Sequence, residues 1–222
     1  MRLLYAQLGI IVVLIGALPA TAAASVPIDQ YQVISARNAD AAFSSLEGCI
    51  ETDLFVSSSD ATYGGRPGPV NKQGLTSVFL GRHDTCQPMV GKHYPAVFEG
   101  IAQTLDPLVS SPRLDRASIS ARMPMTDDVS GATVNLQLDM SWQLVGALQH
   151  ETSHSHARLP GDGIVNSHEN DLLGDAIAAG SVSLGGETIV LEPSLEAHLQ
   201  LIKAGCQKLV SPQQQFDELA CL

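Results

Sequence analysis

Thr133–Leu144 reads TVNLQLDMSWQL, and its alternation decides the fold. Val134, Leu136, Leu138, Met140, Trp142 and Leu144 fall on one side of an extended chain, and Asn135, Gln137, Asp139, Ser141 and Gln143 fall on the other. Successive side chains of a strand point to opposite faces, so a period of two over this length is a strand with one buried face and Trp142 as its core anchor. Shorter stretches of the same rhythm occupy residues 50–57, 75–83, 117–123, 178–184, 188–191 and 197–202. Turn-forming clusters separate them at 63–69 (YGGRPGP), 127–131 (DDVSG), 160–163 (PGDG) and 185–186 (GG). Several short strands punctuated in this way predict an all-β fold, a single antiparallel β-sandwich of the immunoglobulin-like or jelly-roll type. Helix is expected only over residues 36–46, with a helical turn near 214–219.

Working outward, residues 1–24 have the layout of a secretory signal peptide. Arg2 supplies the positive start, residues 9–18 (GIIVVLIGAL) the apolar run, and residues 20–24 (ATAAA) the small side chains before cleavage. Cleavage is expected after Ala24 in preference to Ala22, leaving residues 25–222 as one domain of ordinary size. The alternative, a retained anchor, is disfavoured because Gln7 interrupts a run already shorter than the roughly 20 apolar residues of a membrane-spanning helix. Export places the chain where thiols oxidise. Its four cysteines include no C-x-x-C pair and read as two bridges. If the strands at 50–57 and 75–83 form a hairpin around 64–69, Cys49 and Cys86 lie side by side; Cys206 then pairs with Cys221, and the other two connectivities stay open. The net charge of −11 would be repelled by phosphate backbones and anionic lipid, so neither nucleic acid nor a membrane surface is an expected partner. No protein or small-molecule ligand is specified by these patterns.

The chemistry concentrates in residues 149–171, QHETSHSHARLPGDGIVNSHEND, which hold four of the seven histidines. Two geometries compete. As a helix, His150-Glu151-Thr152-Ser153-His154 is the H-E-x-x-H string of zinc hydrolases, two imidazoles one turn apart with a glutamate that activates a bound water. The flanks lack an apolar stripe, Thr152 and Ser153 are weak helix formers, and no G-x-x-H continuation adds a third ligand, although Glu169 is a distant candidate. As a strand, His154 and His156 share one face, and the turn at 160–163 brings His168 or Glu169 back opposite His154. His154, His156 and His168 then form a nitrogen-rich site suited to zinc or copper. The plainer alternative is a polar surface hairpin whose imidazoles meet only backbone and water. His83, His93 and His198 stand alone near strand ends and are expected to be surface side chains. Asp162, Asn170, Asp171 and Asp175 fit no calcium-loop spacing. The chain contains no G-x-S-x-G elbow, phosphate-binding loop or dinucleotide fingerprint, so no catalytic residue is assigned.

The segments CIETDLFV (49–56), LQLDMSW (136–142) and PGDGIVNSHENDLLGDAIAAGSV (160–182) resemble those of uncharacterised secreted bacterial proteins with β-rich domains. The resemblance runs in order through most of the mature chain. It implies a β-rich fold and an exported location, and no activity.

Overall fold

The computed structural model describes residues 28–66, 68–159 and 163–210. Every regular element in them is a strand: β1 (Ile28–Glu47), β2 (Ile50–Arg66), β3 (Gly68–Asp84), β4 (Ala96–Thr104), β5 (Val109–Ser110), β6 (Arg116–Thr126), β7 (Thr133–Leu144), β8 (Gln149–Leu159), β9 (Gly163–Leu184) and β10 (Glu187–Val210). All pairings are antiparallel, as expected for this all-β chain. They build one sheet in the order β4-β3-β2-β1-β10-β9-β7-β6-β5, with β8 paired to β9 off this path. The strand foreseen at Thr133–Leu144 has those bounds, and its buried residues are Leu136, Leu138, Met140 and Trp142.

The helix expected over residues 36–46 is not there: the segment belongs to β1, which is laddered on one side to β2 and on the other to β10. Its alanines gave it helical propensity, but propensity is a weak prior when a chain is flanked by two long partners. The small side chains serve the core instead, where Ala39 and Ala41 are fully buried beneath larger neighbours. The separate strands foreseen at 188–191 and 197–202 are parts of β10, interrupted by register shifts on either side of Ser194, next to Pro193. A bulge is where a strand tolerates proline, since no ladder hydrogen bond is then lost. The turn foreseen at 64–69 narrows to the junction of β2 and β3, where Gly65 is paired with Gly68. The signal segment 1–24, the turn at 214–219 and Cys221 lie outside the described residues.

This sheet is curled, though it does not close into a barrel. The Trp142 indole N–H on β7 donates to the Asp40 carbonyl on β1 at 3.0 Å. Those strands are three places apart in the sheet, about 14 Å if it were flat, so the sheet must fold over for the bond to form. At the far ends of the order, β4 meets the β6–β7 turn. Asp128 N–H donates to the Glu99 carbonyl at 2.7 Å, and the Asp127 carboxylate accepts from the Glu99 and Val129 amides at 3.2 and 3.1 Å and from the amide and hydroxyl of Ser130. Gly100 lets the seam close: a Cβ there would meet the Thr126 carbonyl and Met125. One core, from Leu54 and Val56 through Leu80 to Leu138, Val182 and Leu199, fills the inside.

β9 links two unlike regions. Its C-terminal half pairs with β7 through residues 176–184, inside the curl, and its N-terminal half pairs with β8 through 163–173. β7 and β8 thus follow one another along the same side of β9, separated by the break at 145–148.

Candidate functional site

The β8–β9 hairpin carries the histidines, and it is a strand pair throughout, with eleven consecutive residue pairs from Gln149↔Leu173 to Leu159↔Gly163. β8 owes its conformation to this ladder, because it has no apolar stripe of its own and residues 149–158 are all exposed. In an antiparallel pair opposed residues share a face. His150, His154 and His156 therefore lie on one face with Leu172, His168 and Asn166, while Glu151, Ser153 and Ser155 lie on the other with Asp171, Glu169 and Ser167.

The register resolves the choice between His168 and Glu169: His168 stands directly opposite His154, and Glu169 points to the other face opposite Ser153. The His154 and His168 rings stack with centroids 6.5 Å apart and planes inclined by 28°. His156 Nδ1 lies 2.5 Å from Asn166 Oδ1. A carbonyl oxygen only accepts, so this contact calls for the tautomer with the proton on Nδ1, and it leaves Nε2 outside the contact. On the other flank His168 is paired with Gly205 of β10, and its ring occupies the space above that glycine, with Nε2 2.8 Å from where a Cβ would be. Asn166 and Gly205 were not foreseen as part of the site. Asn166 was legible as the residue two places before His168 on the same face; Gly205 depends on the β9–β10 register, which no local pattern reveals.

The helical geometry demanded by the H-E-x-x-H reading is absent. In the extended β8, His150 and His154 are about 13 Å apart, whereas zinc–nitrogen bonds are about 2.1 Å. Glu151 faces away from both, opposite Asp171. The strand reading gathers His154, His156 and His168 on one face, but does not draw them into one coordination shell. Among the described residues, the group of three whose ligand atoms all lie within 4.8 Å of one another is Cys49, Asp84 and Cys86. Cys49 and Cys86 form the foreseen disulfide, with Cα atoms 5.3 Å apart, so neither sulfur is a thiolate ligand.

Two other polar arrangements were not singled out by the sequence. Ser57, Asp40, His198 and Asp175 lie in one row across β2, β1, β10 and β9. His198 Nδ1 is 3.4 Å from Asp175 Oδ1, and burial pushes the Asp40 carboxyl above its ordinary range against the opposing pull of Ser57 and His198. A groove of about 620 Å³ on the curled half is bordered by Asp106, Ser118, Ser120, Asp139 and Ser141. There Ser120 donates to Asp139 at 2.5 Å, which holds that carboxyl below its usual range, but no imidazole lines the groove to make the serine a nucleophile.

The chain matches no protein-family model, no curated protein and no solved structure. Among the described residues no helix is long and apolar enough to cross a membrane.

Proposed function

We propose that this chain is an exported binding domain that takes up zinc(II) or copper(II) on the β8–β9 hairpin through His154, His156 and His168. The observation that carries the reading is the direct opposition of His154 and His168, with His156 on the same face and its Nδ1 engaged by Asn166. Imidazole nitrogen suits both ions, and a carbonyl partner on the second ring nitrogen is the usual way a ligating histidine is oriented. A net charge of −11 favours cations over nucleic acid or anionic lipid. The Cys49–Cys86 disulfide is what an oxidising compartment permits and supports export.

The test is titration of the EDTA-stripped protein with zinc(II) and copper(II), followed by calorimetry. Saturable binding is expected, weakened at least tenfold by His156→Ala and unchanged by Glu151→Gln. If neither ion binds, the hairpin is a polar surface element and the reading falls. Peptidase activity lost in Glu151→Gln would replace it with metal-dependent hydrolysis.

A further inference from the structure

One chain does not gather His154, His156 and His168 into one coordination shell, and the edge of β8 lies beside them. Among the described residues β8 pairs with β9 alone, so its other edge meets no strand of them over Gln149–Leu159 and presents N–H and C=O groups without a ladder partner there. The strand itself contains no proline, its register with β9 has no bulge, and its two charged side chains, Glu151 and Arg158, are of opposite sign. One chain brings only His154 and His168 close together, whereas zinc bound structurally takes four ligands and leaves at most one to water in an open site.

Resting on the metal-binding reading, we propose that two copies of this chain join edge to edge through β8, antiparallel about a two-fold axis at Ser155, and that the metal is held across the joint. In that register Ser155 opposes its own copy, and His154 opposes His156 of the second copy. All these histidines lie on the face that also carries His168. Opposed side chains across the new joint would have Cβ atoms about 5 Å apart. Each ion would then be held by His168 and His154 of one chain and His156 of the other, and the two-fold repeats the site, giving one metal per chain. Asn166 presents the Nε2 of His156 at each site.

A second copy is the fitting occupant because the H-x-H stripe of β8 is self-complementary under this axis, whereas a foreign strand would have to bring its own imidazole to the same position. Charge makes the joint conditional. Two chains of −11 repel one another, and two divalent ions placed at the contact offset part of that repulsion. The metal-free protein is therefore a single chain and the loaded protein a pair.

Sedimentation velocity on the stripped protein, repeated with zinc(II) and then copper(II) at one equivalent per chain, decides the matter. The expected result is a doubling of mass with either ion, bound at one per chain and reversed by EDTA. Ser155→Lys keeps all three histidines but sets two ammonium groups against each other at the axis. It is expected to stay a single chain and to bind the ion at least tenfold more weakly. His156→Ala, an exposed position that folding does not need, is expected to stay single as well. One ion per chain with no change in mass overturns the joint and leaves the metal reading standing. Doubling that survives Ser155→Lys places the contact elsewhere and also overturns it. Failure to bind either ion removes the metal reading and the joint together.

Discussion

β7 and β8 lie along the same side of the same strand, β9, with the same antiparallel pairing, yet they have opposite fates. On β7 every second side chain from Leu136 to Trp142 is buried, and the indole reaches across the curl to β1. On β8 residues 149–158 are exposed on both faces, and the positions that would be apolar in a core strand are His150, His154 and His156. Backbone pairing alone therefore extends a sheet past its core, provided a long partner strand is already anchored. Stability is concentrated where the sheet curls, and β8, freed from packing, can carry chemistry.

The contrast is tested most severely by truncating each strand's principal side chain. Trp142→Ala removes a fully buried ring and its hydrogen bond and is expected to cost about 3–5 kcal/mol, enough to unfold a marginal domain. His154→Ala, on the exposed strand, is expected to change stability by less than about 0.5 kcal/mol. Denaturant unfolding followed by tryptophan fluorescence for the histidine variant, and by circular dichroism for both, measures the difference. Comparable losses at the two positions would show that β8 belongs to the cooperative core. Replacing both Cys49 and Cys86 by alanine comes next: releasing a cross-link with a sequence separation of 37 is expected to lower stability by about 2–4 kcal/mol and to leave metal titration of the folded protein unchanged.

The seam that closes the curl adds a pH dependence of its own. Hydrogen bonding, from Ser130 above all and then from the Val129, Glu99 and Ser130 amides, holds the Asp127 carboxyl below its ordinary range. The folded state thus favours the ionised form more than the unfolded state does. This contribution is fully present above the ordinary carboxylate range and is lost as pH falls through the lowered folded value. Asp139, lowered by Ser120 and Gln137, acts in the same direction. The denaturation midpoint should fall as the solution is acidified below about pH 4, and Asp127→Asn should flatten that fall while lowering the midpoint at neutral pH. An unchanged acid slope in Asp127→Asn would show that the seam does not contribute to the closed fold.

How far the sequence could be read follows from the same contrast. Where a strand is buried on one face, its alternation is visible, and Thr133–Leu144 gave both the type and the limits of β7. The pairing of Cys49 with Cys86 followed from the polarity of two such strands. β1 misled because its core residues are alanines, whose helical propensity is the local signal while their place between β2 and β10 is not local at all. β8 has no apolar alternation, so its histidine spacing left helix, strand and surface loop open, and only the ladder to β9 decides for a strand. Gly205 was out of reach, since a glycine in β10 means something only once its register with His168 is known.

That glycine gives the subtlest test. Gly180, in the curled half, and Gly205, beside the hairpin, both lie where a Cβ would collide. At Gly180 the obstacle is the backbone of β7, the Asp139 carbonyl and the Met140 Cα at 2.9 Å, which cannot move without breaking the ladder. Gly180→Ala is accordingly expected to cost about 1–3 kcal/mol. At Gly205 the obstacle is the ring of the exposed His168, which can swing aside. Gly205→Ala also narrows the freedom of the unfolded chain, a gain of about 0.4–1 kcal/mol that offsets the displacement, so its net effect on stability should be near zero. Its effect should appear instead in metal titration: with His168 pushed from its place opposite His154, zinc affinity is expected to fall several-fold while the unfolding midpoint stays within experimental error. If affinity held and stability fell, His168 would be a packing residue, and the division between a structural β7 and a β8 proposed to bind metal would not extend to the strand that joins them.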